Sequence, residues 1–346
     1  MATKGLECIG IGILGLGVVG SGVAQSLMLK AGAISEQVGC PVNLKKVLIR
    51  TPRKKRSLKL NPSFITTDSS QILDDPNIAI VVEVMGGEEP AYTYIQHALQ
   101  SGKHVVTANK EVMAKHGSDL LRMAGHCGVG IFYEASVGGG IPLIGPLKRD
   151  LVVNRVSSIY AIINGTTNYI LSKMSSAGME FDEALHLAQE LGFAETNPAN
   201  DIEGTDAAYK LAILAGLAFQ AEINARDVYR EGITGLTEHD FRYARELGYA
   251  IKLLAIGTDL GDTIEVRVHP VFIPESFLLA KVEGVYNAVQ IEGDMIGKVL
   301  FYGEPFDPED LLRIKSDIVI NAHRGISIKA QERKEDRVKM AHGHDH

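Results

Sequence analysis

Cysteine is scarce in this 346-residue sequence, which contains only Cys8, Cys40 and Cys127. Three thiols that are odd in number and widely spaced argue against a disulfide framework and predict free cysteines in a reducing compartment. Long hydrophobic runs are also lacking, because no stretch of about 18 apolar residues is available to span a bilayer. The glycine-rich stretch 9–20 is not followed by a signal-peptide cleavage site. We therefore expect a cytoplasmic protein with no membrane partner.

Positive charge is also in deficit, since 42 acidic residues outnumber 35 lysines and arginines and give a formal net charge of −7. The one dense basic run, residues 50–56, is short and contains no aromatic side chain. A nucleic-acid partner is therefore not expected, because the overall field would repel it. With 45% hydrophobic residues, the chain is long enough to form two domains with a large core.

Strand-like and helix-like segments alternate in the first part of the sequence. Strands are predicted at 7–14, 42–50, 78–84, 103–107 and 128–134, with helices after the first strand and at 90–101 and 111–125. This alternation predicts an α/β fold, a Rossmann-type parallel sheet with helices on both faces.

After Gly140 the pattern changes. Helices are predicted at 181–191 and 205–219, and strands at 264–272, 285–292 and 298–302, which is typical of an α+β domain. We place an NAD(P)-binding domain at 1–136 and a second domain at 137–309. We expect the segment 310–335 to pack back on the first domain and residues 336–346 to be a frayed tail.

A glycine motif of the form G-x-G-x-x-G, formed by Gly15, Leu16, Gly17, Val18, Val19 and Gly20, lies between the first strand and a helix. Its first glycine permits a tight turn, its second lets the backbone approach a pyrophosphate, and its third lets helix and strand pack closely. An overlapping match that starts five residues earlier lies inside the strand and is rejected. The motif predicts a dinucleotide site; the alternative is a turn whose glycines serve packing alone.

The end of the second strand indicates which dinucleotide is bound. NAD-preferring folds usually carry Asp or Glu there, whereas this strand ends in Arg50 and is followed by Arg53 in a basic loop. A guanidinium suits a 2′-phosphate, so NADP is favoured over NAD. The alternative is a solvated basic loop.

The segment around Asp206 combines ionisable and apolar residues at helical spacing. If a helix begins at about Ile202, one stripe holds the residues Glu203, Asp206, Lys210, Ile213 and Leu217. Charges that continue into an apolar stripe indicate a buried or site-lining helix end, where a lysine can act as general acid. The alternative is a simple ion pair between Asp206 and Lys210.

A second cluster, Asn109-Lys110, follows a predicted strand. Residues just past the carboxyl ends of parallel strands face the ligand crevice, which places Lys110 near a nicotinamide or substrate. The alternative is a surface lysine at the start of the next helix. Two lysines and several carboxylates around one site suit an amino-acid substrate, since carboxylates hold an ammonium group and a lysine can protonate a developing oxyanion.

Taken together, the motifs resemble the homoserine dehydrogenase family from Cys8 to Gly303. The matching blocks are GLGVVGSGV, VVEVMGG, GKHVVTANKEVMAKHG, YEASVGGGIPLI, INGTTNYILSKM, AQELGFAE, DIEGTDAAYKLAILA and IKLLA. The resemblance implies NAD(P)H-dependent interconversion of aspartate 4-semialdehyde and homoserine. It also implies that the second domain is the catalytic and dimerisation domain of a homodimer.

The resemblance also assigns roles to residues. It implies proton transfer by Lys210 and Lys110, with Lys210 as general acid. It implies that Glu195 and Asp206 grip the substrate, that Asp201 orders the cluster, and that Gly165 and Thr166 lie against the substrate carboxylate. The nicotinamide would rest by 84–87, including Gly86, and by Asn109. A sodium ion would be bound by the backbone carbonyls of Glu134, Val137, Gly139 and Ile141.

The sequence departs from the family pattern in places. An acidic loop, Glu304–Arg313, replaces a glycine-rich one and puts cofactor closure in doubt. Asn197 stands where Asp is common, and Phe193 where Tyr is common. The sequence leaves no room for a regulatory domain or fused kinase, so feedback by threonine is not expected. Two alternatives stay open: a related dehydrogenase acting on another small amino or hydroxy aldehyde, and a nucleotide-binding protein with impaired turnover.

Overall fold

The structure is a computed structural model that describes residues 8–52 and 58–304. These residues form two compact units, which divide between Ala135 and Ser136. The predictions for Arg53, for the loop after Glu304, for 310–335 and for 336–346 lie outside the described residues. All three cysteines are described and carry free thiols, as predicted. Within the described ranges, every helix is too short or too polar to cross a membrane.

The first unit contains a six-stranded sheet in the order β3-β2-β1-β4-β5-β6, in which all neighbours are parallel. The strands are β1 (Ile9–Leu14), β2 (Val42–Leu48), β3 (Ile65–Thr66), β4 (Ile80–Glu83), β5 (His104–Thr107) and β6 (Ile131–Phe132). The helices are α1 (Val18–Leu29), α2 (Ala31–Val38), α3 (Ser70–Leu73), α4 (Ala91–Gln100) and α5 (Lys110–His126). The predicted Rossmann-type fold is confirmed, and its strand order reverses between β1 and β4.

The central strand β1 is buried along its whole length. A parallel sheet covered on both faces favours such a continuous apolar strand. The two glycines inside β1 are required by close packing: a Cβ at Gly10 would lie 1.9 Å from the carbonyl oxygen of Asn77, and one at Gly12 would lie 2.4 Å from Cγ2 of Ile72. This explains why an overlapping glycine match lies inside the strand without being a turn.

The second unit contains a mixed sheet in the order β12-β11-β7-β9-β10-β8, which confirms the predicted α+β class. Its strands are β7 (Val156–Ile162), β8 (Tyr229–Arg230), β9 (Tyr249–Asp259), β10 (Ile264–Pro274), β11 (Asn287–Gly293) and β12 (Gly297–Gly303). Its helices are α6 (Ile144–Arg149), α7 (Gly165–Ala177), α8 (Phe181–Glu190), α9 (Ala199–Ile202), α10 (Thr205–Ala218) and α11 (Glu238–Glu246). Strands β8 and β10 pair in parallel and the other neighbours are antiparallel.

The strand β7 lies in the middle of this sheet and pairs with β9 on one side and β11 on the other. Helices α7, α10 and α11 contact β9. A buried apolar cluster that includes Ile162, Leu254 and Ala288 joins β7, β9 and β11. The start of α7 is therefore fixed by a strand that is paired along both edges.

One sequence prediction about this unit is wrong. The helix that carries Asp206 does not run on from Ile202, because α9 ends at Ile202 and α10 begins at Thr205. Gly204 separates them with a φ of +77°, a left-handed conformation that interrupts a right-handed helix. Glu203 is exposed and does not belong to the helical stripe of Asp206 and Lys210.

Candidate active site

The turn after β1 is built by two glycines that packing requires. Gly15 has a φ of +106°, and its N–H donates to the carbonyl oxygen of Leu48 at 3.1 Å. A Cβ at Gly20 would lie only 2.1 Å from the carbonyl oxygen of Gly15. Helix α1 can therefore approach the turn only if residue 20 is glycine.

Gly17 is different, because a Cβ there would meet nothing within 4 Å. Its φ of −82° is available to any residue, so neither space nor backbone conformation requires glycine at this position. Gly17 is the N-cap of α1, and the first turn, with Val18 and Val19, has no side-chain cap and no acidic residue. An exposed helix N-terminus beside open space fits a pyrophosphate that approaches the backbone.

Arg50 follows β2 by two residues, and its side chain is exposed. Strand β2 lies beside β1, which leads directly into the glycine turn. In Rossmann folds, the residue at the carboxyl end of this second strand usually binds the adenosine ribose, and Arg50 is at that place.

The loops after β4 and β5 are joined by a buried carboxylate that the sequence analysis did not single out. Glu83 is 0% exposed, and its Oε2 accepts from the Thr107 hydroxyl at 2.6 Å. Its Oε1 accepts from the backbone N–H of Met85 at 2.7 Å. Burial raises the pKa of this carboxyl group, an effect partly offset by its hydrogen bonds. Its signal in the sequence is an acidic residue that ends the apolar run IAIVV.

Asn109 completes the connection. Its backbone N–H donates to Oγ1 of Thr107 at 2.9 Å, and its Nδ2 donates to the carbonyl oxygen of Gly87 at 2.7 Å. Its Oδ1 accepts from the N–H of Val112 at 3.1 Å and so caps α5. Lys110 is the first residue of that helix and is half-buried. The structure therefore fixes Asn109 and Lys110 at the carboxyl end of the parallel sheet.

In the second unit, Asn164 brings two predicted carboxylates together. Its Nδ2 donates to Oδ1 of Asp201 at 2.7 Å and to Oδ2 of Asp206 at 2.9 Å. Its Oδ1 accepts from the N–H of Thr167 at 2.8 Å, so the same side chain caps α7. Sequence analysis missed Asn164, although an Asn before a helix-forming segment is a recognisable N-cap signal.

Lys210 joins this cluster. Its Nζ lies 2.6 Å from Oδ2 of Asp206 and donates to the carbonyl oxygen of Ile163 at 2.7 Å. The side chains of Asp206 and Lys210 are only 3% and 16% exposed, so the pair is not a solvated surface ion pair. A shielded ion pair is tolerated more readily when further hydrogen bonds reach its charged atoms, and here Asn164 bonds to Oδ2 of Asp206 and Ile163 to Nζ of Lys210.

Gly165 and Thr166 are the first two residues of α7 and are half-buried. The Thr166 hydroxyl donates to the carbonyl oxygen of Phe193 at 2.6 Å, and the ring of Phe193 packs against Tyr169 with centroids 4.9 Å apart. The segment at 193 is therefore held beside the N-terminus of α7. An anionic group would be favoured at this helix end.

Within residues 8–52 and 58–304, no hydrogen bond or ion pair joins the Glu195 side chain to the Asn164 cluster. Its side chain is exposed, and its carbonyl oxygen accepts from Nε2 of Gln189 at 3.1 Å. Asn197 is also exposed, and its Oδ1 accepts from the N–H of Ala199 at 3.3 Å. These residues lie on the segment between α8 and α9.

The residues expected to bind sodium fall on either side of the division between the units. Glu134 belongs to a single turn of 3-10 helix, Glu134–Ser136. In the second unit, Val137 and Ile141 are buried, and Gly139 has a φ of +59°. Val137, Gly139 and Ile141 thus lie in one tight turn, closed by a hydrogen bond from the N–H of Ile141 to the carbonyl oxygen of Gly138 at 3.0 Å.

Comparison with known proteins gives consistent matches to both units. Residues 15–134 match the family model described as homoserine dehydrogenase, NAD binding domain, and residues 142–310 match the model described as homoserine dehydrogenase. A homoserine dehydrogenase from Synechocystis is 49% identical over 267 residues, which are 76% of this chain and 61% of that protein. The chain thus spans about three-fifths of the length of that curated relative.

Solved structures agree. A homoserine dehydrogenase from Thiobacillus denitrificans is 42% identical with a TM-score of 0.88, and the match covers 93% of this chain and 74% of that one. A hyperthermophilic archaeal homoserine dehydrogenase in complex with NADPH is 25% identical with a TM-score of 0.75, and the match covers 91% of this chain and 97% of that one.

Proposed function

Because the chain belongs to the homoserine dehydrogenase family, we propose that it catalyses the reversible NAD(P)H-dependent reduction of L-aspartate 4-semialdehyde to L-homoserine. The observation that carries this proposal is the pair formed by the buried Asp206 and the half-buried Lys210, with Nζ and Oδ2 2.6 Å apart. An ammonium group that is largely shielded from water and is held by a carboxylate and a backbone carbonyl is suited to proton transfer rather than to surface solvation.

Lys210 acts as the general acid in this proposal. A lysine ammonium has three N–H donors, and two of them are directed at Asp206 and at the carbonyl oxygen of Ile163. The third is available to the aldehyde oxygen, which gains negative charge during reduction. When bound, the reduced nicotinamide supplies the hydride. Lys110 is the second lysine assigned to proton transfer.

The remaining residues of the second unit hold the substrate. Asp206 and Glu195 bind its amino and hydroxyl ends, and Asp201 orders the cluster through Asn164. Gly165 and Thr166 present the N-terminus of α7 to the substrate carboxylate, where the helix dipole favours negative charge. Glu195 is exposed, which leaves its carboxylate accessible to a substrate.

The cofactor is NADP in preference to NAD. The open space at Gly17, between Gly15 and Gly20, fits the pyrophosphate, with Val18 and Val19 in the first turn of α1. Arg50 is exposed after β2 and can pair with a 2′-phosphate, together with Arg53. Gly86, Asn109 and Lys110 contact the nicotinamide end.

Sodium binding by the backbone carbonyls of Glu134, Val137, Gly139 and Ile141 is also part of the proposal. It is supported by the tight turn at 137–141, whose buried backbone offers the oxygen ligands that a hard cation prefers. We further propose a cytoplasmic homodimer formed through the second unit. Its sheet exposes large side chains that a partner would cover, for example Phe272 at 55% and Tyr302 at 54%.

One assay tests the function. Purified protein is mixed with aspartate 4-semialdehyde and NADPH or NADH, and the absorbance of the reduced cofactor is followed. Steady oxidation of the cofactor in the presence of aspartate 4-semialdehyde supports the proposal. If the cofactor is oxidised with other small aldehydes but not with aspartate 4-semialdehyde, the protein is instead a related dehydrogenase. Phe193 beside α7 would explain such a change of substrate. If the cofactor binds but is not oxidised in the presence of any aldehyde, the protein is a nucleotide-binding protein with impaired turnover.

A further inference from the structure

We propose that Glu83 is a positioning residue that, through Thr107 and Asn109, holds the two loops against which the nicotinamide is placed. The inference rests on the proposed function, because it assumes that the nicotinamide lies at these loops. It assigns no contact with the reacting atoms to Glu83 itself.

The hydrogen bonds form a closed circuit. The Thr107 hydroxyl donates to Oε2 of Glu83 at 2.6 Å and accepts from the N–H of Asn109 at 2.9 Å. Nδ2 of Asn109 donates to the carbonyl oxygen of Gly87 at 2.7 Å. The chain then leads back to Met85, whose N–H donates to Oε1 of Glu83 at 2.7 Å. Each loop is thus fastened both to the carboxylate and to the other loop.

The circuit requires an acceptor-only group at its centre. Two donors converge on Glu83, the hydroxyl of Thr107 and the N–H of Met85. The nearby Asn109 side chain and Gly86 backbone also favour its charged form and so lower its pKa. A carboxylate offers only acceptor sites, whereas an amide of the same shape presents an NH₂ group to one of these donors. Burying a carboxyl group is costly, and burial raises the pKa of Glu83. The energetic cost of burying this carboxyl group is consistent with a role in ordering the two loops.

The location of the circuit links it to the cofactor. Glu83 and Thr107 end the neighbouring strands β4 and β5, and β4 lies beside β1 at the point where the strand order reverses. Dinucleotides bind across the carboxyl ends of the strands at this point. The loop after Glu83 contains Gly86 and Gly87, each with a φ of +76°. Two consecutive glycines are conformationally permissive, so this loop depends on its tethers for a single conformation.

Thr107 offers a matched pair of variants. Thr107→Val keeps the shape of the side chain but removes the hydroxyl that connects Glu83 to Asn109, whereas Thr107→Ser keeps that hydroxyl. Relative to the wild type, we expect Thr107→Val to lower kcat about 10-fold or more, because a small misplacement of reacting groups is enough for such losses. The Kd for NADPH should change less than about threefold, since the adenine and pyrophosphate contacts remain, and Thr107→Ser should restore kcat.

The primary deuterium isotope effect, measured with labelled NADPH, distinguishes a positioning role from a purely structural one, because loss of stability alone would not change it. Misplacement of the nicotinamide makes hydride transfer slower, so the isotope effect on kcat should rise in Thr107→Val and not in Thr107→Ser. Equal kcat in wild type and Thr107→Val overturns the proposal. So does a lower Tm with unchanged kcat per folded molecule, which shows that the circuit serves stability alone.

Two further measurements keep the test decisive. If Thr107→Val does not fold, Glu83→Gln is measured in its place, with the same expected split between kcat and Kd. If the wild type does not reduce aspartate 4-semialdehyde, the proposed function fails, but the circuit is still tested by NMR saturation transfer to bound NADPH. Loss of nicotinamide signals with retained adenine signals in Thr107→Val supports the positioning role. Unchanged nicotinamide signals refute it.

Discussion

Nζ of Lys210 lies 2.6 Å from Oδ2 of Asp206, one turn earlier on the same helix, in a pair whose carboxylate is buried and whose lysine is half-buried. The spacing alone would also describe an ordinary surface ion pair. What distinguishes this pair is that Asn164 and the carbonyl oxygen of Ile163, which precede α7, supply its other partners. The ammonium group is therefore oriented by groups from two segments of the chain.

Removal of this ammonium group should abolish most of the activity. We expect Lys210→Ala to lower kcat by about 100-fold or more, the usual scale for loss of a general acid. The matched control is Lys298→Ala, which removes an exposed lysine of the same unit. Steady-state kinetics with both variants provide the measurement. A loss of less than tenfold in Lys210→Ala would remove Lys210 from the role of general acid.

The glycines of the turn after β1 should separate folding from cofactor binding. Gly20→Ala places a methyl group 2.1 Å from the carbonyl oxygen of Gly15, so we expect it to destabilise the protein by about 1–3 kcal/mol. Gly17→Ala meets no protein atom within 4 Å and should leave the Tm nearly unchanged. It should nevertheless raise the Kd for NADPH, measured by fluorescence titration, at least about tenfold, because the methyl group blocks approach of the pyrophosphate. Unchanged affinity in Gly17→Ala would contradict the proposed phosphate site.

Arg50 should discriminate between the two dinucleotides. We expect Arg50→Ala to weaken binding of NADPH more than binding of NADH, because only NADPH carries the 2′-phosphate. Arg122→Ala, an exposed arginine on α5, serves as the control and should change neither affinity. Titration of each variant with both reduced cofactors gives the ratio of the Kd for NADPH to the Kd for NADH. Equal weakening for NADPH and NADH would argue against a 2′-phosphate contact.

A buried lysine in the second unit should make stability depend on pH. Lys252 is 4% exposed and donates to the carbonyl oxygen of Val282 at 2.5 Å, and burial lowers its pKa to about 8 although Glu283 opposes the shift. An unfolded lysine has a pKa of about 10.4, so between the two values the unfolded chain binds more protons and stability rises with pH.

The comparison is made with Lys252→Met, which removes this titration and leaves the other groups in place. Between pH 7 and pH 9, we expect the free energy of unfolding of the wild type to increase relative to Lys252→Met by about 1 kcal/mol. Urea unfolding at both pH values measures the difference. Parallel pH dependences of the two proteins would show that Lys252 does not titrate in this range.

Local patterns were sufficient to predict most of the first unit, although the short elements α2, β3 and α3 were not predicted. Strand β1, the turn at Gly15 and the helix after it are specified by neighbouring residues, so the Rossmann-type sheet could be inferred without long-range information. Strands β7 and β9 were not predicted. In the case of β9, the strand is buried on both faces from Ile251 to Gly257 and shows no alternation. A continuous apolar run of this kind does not distinguish a strand from a buried helix.

The candidate site could be predicted only where residues that act together are also close in sequence. Asp206 and Lys210 are neighbours on a helix, and their pairing follows from spacing. The role of Asn164 depends on partners 37 and 42 residues away, and no local pattern contains that information. Glu203 was wrongly placed with Asp206 because a helical period was extended across Gly204. The circuit of Glu83 likewise joins two strands through a contact that spans 24 residues.

The position of β7 determines the order in which the two halves of the protein can be completed during synthesis. Ala161 pairs with Ala255 on one side and Val289 on the other, so both neighbours of this strand are translated long after it. Every described strand of the first sheet, by contrast, has been translated once Phe132 emerges. Ribosomes add about 5–20 residues per second, so β7 waits several seconds with both edges open. Unpaired strand edges are templates for aggregation, so during this interval β7 is open to pairing with other chains.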